Sequence, residues 1–346
     1  MRYRRLGRTD LEVSAICLGT MTYGEQNTEE DAFALMDYAL DEGVTFFDTA
    51  EMYSTPPREQ TYGRTEEIIG NWFADRGNRD KVILASKVLG GSSRFPYVRG
   101  GSLKLNRRHI EEAVNASLRR LKTDYIDLYQ THWPDRAANM FGQRGFAADA
   151  DEEMTPLDHT LDVLGDLVKA GKIRHFGVSN ETPWGVMRYL ELAEQRGLPR
   201  AVSIQNPYSL LNRLFEVGLA EIAIREDCGL LAYAPMAGGV LSGKYLGGAR
   251  PAGARFSLAP HMTRYFGPSA EQATGRYVAV ARRHGLTPAT LALTFVNTRP
   301  FVTSTIVGAT TLDQLRADIA TIDATLSDAA LADIEAVHTA IPDPCP

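Results

Sequence analysis

Four side chains in the first half of the chain have types suited to proton transfer next to a carbonyl group. Asp48 ends the run FFD, Tyr53 ends EMY, Lys87 ends VILASK and His132 ends YIDLYQTH. Hydride addition builds negative charge on a carbonyl oxygen, and a tyrosine hydroxyl, with a pKa of about 10, is a reluctant acid. A nearby ammonium lowers that pKa, a carboxylate holds the ammonium, and an imidazole donates a hydrogen bond to the oxygen. The four residues therefore predict carbonyl reduction.

Each of these residues also has an ordinary structural interpretation. Asp48 could cap the turn after its strand, and Lys87 could be a surface lysine whose stem covers apolar groups. Tyr53 could line a pocket, and His132 could be a hydrogen-bonded histidine at a strand end. The chemical interpretation is favoured because the four groups lie at or just past three successive strand ends.

The strands are predicted from short apolar runs rich in β-branched and aromatic residues. Most are continuous rather than alternating, which is typical of parallel strands buried on both faces. The predicted strands are residues 13–19, 44–49, 82–87, 125–132, 173–179, 202–206, 230–235 and 302–308. Amphipathic helices with capping residues separate them, for example 106–121.

Eight consecutive strand–helix units predict an α/β fold, a single (β/α)8 TIM barrel domain spanning residues 1–346. An open doubly wound sheet is the alternative. Residues 3–14 predict a short N-terminal β-hairpin that caps the bottom of the barrel. Long connections follow the strands that end at Thr49, Lys87, His132 and Pro235, on the face where barrel enzymes place their active sites.

Composition limits the classes of partner. The formal net charge is −6 and 44% of residues are hydrophobic, so neither nucleic acid nor a membrane is an expected partner. No apolar window approaches the length of a membrane span, and no signal peptide is recognisable, so the cytoplasm is the predicted location. The three cysteines and seven histidines have no metal-ligand spacing, and no metal is predicted.

Several motifs together resemble the aldo-keto reductase family, most closely its bacterial Tas-like branch. They run in order along nearly the whole chain: GTMTYG, FFDTAEMY, ILASK, YIDLYQTHWP, GKIRHFGVSN, IQNPYSLLNR and IVGATTLDQL. The resemblance implies a (β/α)8 barrel that binds a nicotinamide cofactor without a Rossmann domain. It also implies that Asp48, Tyr53, Lys87 and His132 are the catalytic residues. The family's usual Tyr-Gly is Tyr53-Ser54 here, which is expected to reshape one pocket wall.

The resemblance also implies a set of cofactor contacts. The nicotinamide carboxamide is expected at Ser179, Asn180 and Gln205, with Tyr233 stacked on the ring. The small residues after the seventh strand suit a pyrophosphate, because they let backbone N–H groups approach it. The expected contacts in this segment are Pro235, Met236, Gly238, Leu241, Gly243 and Lys244. Tyr245 stands where a nucleoside-triphosphate loop has Ser or Thr, which argues against an NTPase.

The adenosine and its 2′-phosphate are expected beside the last strand, at Gly308, Thr310, Gln314 and Asp318. The family's Glu-Asn pair is Ala317-Asp318 here, and Gln314 replaces a frequent basic residue. The resemblance implies NADP(H) as the cofactor, and because of these two departures NAD(H) is expected as a secondary one.

The predicted substrate is an aldehyde or ketone that contacts Tyr23 and Trp133, and the predicted state is a monomer. The loop with Met140, Phe141 and Phe146 is expected to close over the substrate, which favours apolar or aromatic compounds. Two other functions remain open: a cofactor-binding redox sensor, like the β-subunits of potassium channels, and a Schiff-base lyase that uses Lys87.

Overall fold

A closed barrel of eight parallel strands forms the centre of the molecule, in a computed structural model that describes residues 1–143, 145–148 and 152–346. Each strand pairs with the next in chain order, and the last pairs with the first. The strands are β3 (Ile16–Gly19), β4 (Phe46–Asp48), β5 (Ile83–Val88), β6 (Ile126–Thr131), β7 (Ile173–Ser179), β8 (Ala201–Pro207), β9 (Gly229–Tyr233) and β10 (Val302–Val307). The predicted barrel is confirmed.

Helices surround the barrel, and several begin at the capping residues that the sequence indicates. Thr28, Asn106, Thr182, Thr287 and Ser327 each accept a backbone N–H in the first turn of their helix. The helices are α1 (Glu29–Asp41), α2 (Arg64–Arg76), α3 (Arg107–Leu121), α4 (Leu157–Lys169), α5 (Pro183–Arg196), α6 (Phe215–Arg225), α7 (Arg255–Leu258), α8 (Pro268–Arg283), α9 (Pro288–Asn297), α10 (Leu312–Ala320) and α11 (Asp328–Ala340). No helix in the described part of the chain is long and apolar enough to cross a membrane.

The first predicted strand, 13–19, is wrong as a single element. Its beginning forms β2 (Glu12–Ser14), which pairs antiparallel with β1 (Tyr3–Arg5), and only its end enters the barrel as β3. The Ser14 hydroxyl donates to the Ile16 carbonyl (2.7 Å) and accepts the Phe46 N–H (3.1 Å). These bonds bend the chain between the two strands.

The N-terminal hairpin closes the bottom of the barrel, as predicted. Leu6 and Val13 are completely buried and belong to an apolar cluster inside the barrel. The cluster's other buried members are Cys17, Phe46, Ala85, Leu128, Val202, Leu231 and Ile306. The lower interior is therefore filled mainly by apolar side chains.

Leu6→Ala tests the contribution of this cluster to stability. Truncating a fully buried leucine leaves a cavity, so the free energy of unfolding should fall by about 2–5 kcal/mol in a urea titration. Leu258→Ala is the matched control because Leu258 is exposed, and it should change stability by less than about 0.5 kcal/mol. Equal effects of the two substitutions would contradict the closure of the barrel by the hairpin.

Candidate active site

A buried ion pair lies at the upper end of the barrel interior. Asp48 ends β4, and Lys87 lies one residue from the end of β5, the neighbouring strand. The Lys87 ammonium donates to Asp48 Oδ2 at 2.6 Å and to the Thr49 carbonyl at 2.7 Å, and its side chain is completely buried. The sequence prediction that Asp48 holds Lys87 agrees with this geometry.

Two glutamine side-chain amides donate the remaining hydrogen bonds to the Asp48 carboxylate. The Gln205 amide donates to Asp48 Oδ1 at 2.8 Å, and the Gln130 amide approaches the same oxygen at 3.3 Å. The sequence interpretation missed Gln130 and missed this second contact of Gln205. The available signal was a polar residue in the apolar run of β6, where both faces of the strand are buried.

The lysine remains charged in this environment. Burial lowers the pKa of Lys87, but the negative charge of Asp48 and the hydrogen bond to it outweigh burial, and the net pKa lies above its ordinary value. A fixed positive charge is therefore present in the barrel near neutral pH.

Tyr53 lies above the ion pair. The Lys87 ammonium is 5.1 Å from the centroid of the Tyr53 ring, and the ring meets His132 edge-on at 5.8 Å between centroids. Lys87 lowers the pKa of Tyr53 as expected, but burial outweighs it, so the net pKa lies above its ordinary value. The hydroxyl keeps its proton and can act as a donor.

His132 directly follows β6 and is a neutral imidazole. Burial, aided by the charge of Lys87, holds the pKa of His132 well below its usual range. Its backbone is fixed by two bonds, from its own N–H to the Val88 carbonyl and from the Asn180 amide to its carbonyl, both 2.8 Å. Among the described residues its Nδ1 has no hydrogen-bond partner.

Three residues expected at the nicotinamide amide meet at the ends of β7 and β8. The Ser179 hydroxyl donates to the Gln205 carbonyl at 2.8 Å. The Asn180 amide oxygen accepts the Tyr233 hydroxyl at 2.6 Å, which joins this group to the end of β9. Hydroxyl and amide groups are thus gathered at the ends of β7, β8 and β9, and their contacts with a cofactor stay predictions.

The glycine-rich segment after β9 has a backbone that only glycine adopts readily. Gly238, Gly239 and Gly243 have φ of 64°, 95° and 83°. A Cβ at Gly238 would lie 2.5 Å from the Phe256 ring. Burial lowers the pKa of Lys244, which follows this turn. Pro235, Met236 and Leu241 lie in the same segment.

After β10, helix α10 begins at Leu312, with Thr311 as its cap. Gly308 and Thr310 precede the helix, and the Thr310 N–H donates to the Gln314 amide oxygen at 3.0 Å. Burial raises the pKa of Asp318 to about 7.

Two arginines near Tyr53 and Tyr233 were not predicted from the sequence. Arg255 begins α7; burial lowers its pKa, and Tyr53 is among the groups close enough to act on it. Arg264 interacts with Tyr233. Both come from an irregular segment whose path depends on long-range packing, so the sequence carried no signal for them.

The two expected substrate residues lie in different surroundings. The Trp133 ring is 4.8 Å from that of His132, and its indole N–H donates to the Gly91 carbonyl at 3.0 Å. Tyr23 is completely buried, and its hydroxyl has no hydrogen-bond partner in the described chain. The substrate contacts of both residues stay predictions.

A buried carboxylate holds the connection after β5, which packs against Trp133. Glu51 accepts two hydrogen bonds from Arg99 (2.6 and 2.8 Å), one from the Leu89 N–H (2.7 Å) and one from the Tyr62 hydroxyl (2.6 Å).

In the described residues, no group of three or more His, Cys, Asp or Glu is arranged to hold a metal ion.

Removing one member of the ion pair should be worse than removing both. Asp48→Asn leaves the Lys87 ammonium buried without a counter-charge, so the free energy of unfolding should fall by about 3–5 kcal/mol at pH 7. The double variant Asp48→Asn/Lys87→Met removes that charge and should recover part of the loss in a denaturant titration. A double variant less stable than the single one would contradict the pairing.

Comparisons with known proteins place the chain in a family. The Aldo/keto reductase family model matches residues 15–339. The chain is 52% identical over 346 residues to Protein tas of Escherichia coli (strain K12), covering 100% of both chains. It is 36% identical over 334 residues to the uncharacterized oxidoreductase YrpG of Bacillus subtilis (strain 168), covering 94% of this chain and 92% of that one. It is also 28% identical over 329 residues to a probable voltage-gated potassium channel subunit beta of Arabidopsis thaliana, covering 93% and 92%.

These matches confirm the resemblance drawn from the motifs, over a span that contains all four candidate catalytic residues. The barrel, the ion pair inside it and the relatives agree, and the chain belongs to the aldo/keto reductase family of oxidoreductases.

Proposed function

We propose that this chain reduces an aldehyde or ketone to an alcohol with NADPH, and that Tyr53 donates the proton. The observation that carries the proposal is the buried Lys87 ammonium, held by Asp48 and 5.1 Å from the centroid of the Tyr53 ring. A permanent positive charge beside a neutral phenol stabilises the phenolate that forms when the proton leaves.

The proton transfer follows from the charges at the site. When bound, a nicotinamide would supply the hydride that adds to the carbonyl carbon. Tyr53 then gives its hydroxyl proton to the oxygen, and the resulting phenolate faces Lys87. Because Asp48 and the Thr49 carbonyl hold the ammonium, little reorganisation is needed as the charge moves.

His132 orients the substrate in this proposal. A neutral imidazole carries one N–H, which can donate to the carbonyl oxygen and stabilise it as negative charge grows. The low pKa of His132 keeps it from competing with Tyr53 as the acid near neutral pH.

The residues of the barrel mouth fit a dinucleotide. Ser179, Asn180 and Gln205 bring hydroxyl and amide groups to the strand ends, with Tyr233 beside them. The left-handed glycines after β9 present a turn that a phosphate can approach closely, with Lys244 and Arg255 as nearby positive charges. Gly308, Thr310, Gln314 and Asp318 would contact the adenosine end.

Tyr53→Phe is the first test of the mechanism. It removes the acid but keeps the ring, so NADPH oxidation with a panel of aldehydes should slow by at least ~100-fold, the range of general acid catalysis. Tyr3→Phe, on the exposed hairpin, is the matched control and should be unaffected. If the native chain binds NADPH but turns over no carbonyl compound, a redox-sensing role replaces the reductase.

Cofactor affinity should depend on pH through Asp318. Its pKa of about 7 means that the carboxyl group is mainly neutral at pH 6 and negative at pH 8. A negative charge near the 2′-phosphate should weaken NADPH binding about fivefold across that range, since partly screened unit charges several ångströms apart repel by about 1 kcal/mol.

The measurement is the NADPH dissociation constant at pH 6 and pH 8, with NADH as the control because it lacks the 2′-phosphate. Asp318→Asn should remove most of the difference that NADPH shows and leave NADH unchanged. An undiminished pH dependence in the variant would show that Asp318 is not near the phosphate.

A further inference from the structure

A polar cavity of about 370 Å³ lies at the end of the barrel opposite the candidate active site. It is lined by Asn297, the last residue of α9, and by Val302, the first residue of β10. Asp48, by contrast, is the last residue of its strand. Because the barrel strands are parallel, their first and last residues lie at opposite ends of the barrel. The cavity is therefore separate from the ion pair and from the groups around it.

Three arginines line this cavity and lack counter-charges. Arg2 and Arg4 come from the N-terminal segment, and Arg299 comes from the turn between α9 and β10. Among the described residues, no carboxylate lies within ion-pair distance of these three side chains. Their neighbours in sequence differ, since Arg5 is paired with Asp227 at 2.9 Å and Arg8 with Glu226 at 3.6 Å. Positive charge is thus concentrated in one concave site of a chain whose net charge is −6.

Arg4 is held in place by the backbone around the cavity. Its guanidinium donates to the Val302 carbonyl at 2.5 Å and to the Asn297 carbonyl at 2.7 Å. A guanidinium carries five N–H donors, so these two bonds leave donors for a ligand. Burial and the positive charge of Arg2 lower the pKa of Arg4, which shows that the two arginines are close enough to repel each other. An anion between them would relieve that repulsion.

Arg299 is also held by the fold. Its guanidinium carbon lies 4.6 Å from the centroid of the Phe295 ring, and its Nη2 donates to the Thr298 hydroxyl at 3.3 Å. Two of the three guanidinium groups are therefore fixed before any ligand arrives. Such preorganisation reduces the entropy that binding costs.

We infer that this cavity binds a small anion that carries a phosphate or diphosphate group, with Arg2, Arg4 and Arg299 as its ligands. The planar fork of a guanidinium matches two oxygens of a phosphate at once, which a single ammonium does not. The volume falls near the lower limit of roughly 300–1,000 Å³ that small-molecule sites occupy. A bound anion would join the N-terminal hairpin to the start of β10, independently of the proposed reductase activity.

The experiment titrates inorganic pyrophosphate into the full chain by calorimetry in 150 mM NaCl. The dissociation constant should be below ~1 mM although exposed charges are partly screened at this salt concentration. The unfolding temperature should rise with pyrophosphate because the ligand binds the folded chain. The double variant Arg2→Gln/Arg299→Gln should weaken binding at least ~10-fold, since charged hydrogen bonds are lost. Arg4 is kept because its own bonds hold β1.

The matched control is Arg5→Gln/Arg8→Gln, which removes the same charge from the same segment at residues that do not line the cavity. It should preserve binding, and equal weakening by both double variants would reduce the effect to net charge and overturn the inference. A native dissociation constant above ~1 mM also overturns it. So does binding that Lys244→Gln weakens and Arg2→Gln/Arg299→Gln does not, because the anion then lies at the turn after β9.

A single variant keeps the test decisive if Arg2→Gln/Arg299→Gln does not fold. Arg299→Lys keeps the charge and loses the fork, so it should weaken pyrophosphate binding at least ~3-fold. Unchanged binding in this folded variant would contradict the role of Arg299 and overturn the inference.

Discussion

The buried ion pair of Lys87 and Asp48 constrains how the upper half of the barrel is built. Taking two charges out of water costs several kcal/mol per ion, which is offset only if the remaining donors and acceptors are satisfied. Here Thr49, Gln130 and Gln205 satisfy them, and these groups come from the ends of β4, β6 and β8. Because these hydrogen-bonding groups lie on separate strands, the Lys87–Asp48 pair is stable only where the sheet closes into a barrel. Closure brings those strand ends to the same level along the barrel axis.

The lower half of the barrel has the opposite character, and this difference gives the upper end its chemistry. The cluster that includes Leu6, Val13 and Phe46 fills the interior below the ion pair, and the hairpin closes it. A dry interior lowers the effective dielectric constant around Lys87, so its charge acts on Tyr53 with little screening. The same burial keeps Tyr53 protonated and His132 neutral, two states that sequence alone did not determine.

The parts of the site that sequence predicted are those that strand ends define. A parallel strand buried on both faces appears as an apolar run, so a polar residue at its end, such as Asp48 or Lys87, is visible without coordinates. The hydrogen bond from the Gln205 side-chain amide to Asp48 joins residues 157 positions apart in sequence. It depends on barrel closure, which no local sequence pattern specifies. Arg255 was not predicted for a similar reason. Residues 13–19 form two strands rather than one because the hydrogen bonds of Ser14 bend the chain within this run.

Under the proposed function, the catalytic groups recognise little beyond the carbonyl oxygen. Tyr53 and His132 offer donors to one atom, and Lys87 cannot attract an anionic substrate strongly because Asp48 already neutralises it. Discrimination among carbonyl compounds must then come from surfaces farther out. The long connections that follow the barrel strands offer such surfaces, and they are held by contacts other than the ion pair, such as those of Glu51 with Arg99. Substitutions there can alter the choice of substrate without moving the charges on which the proton transfer depends.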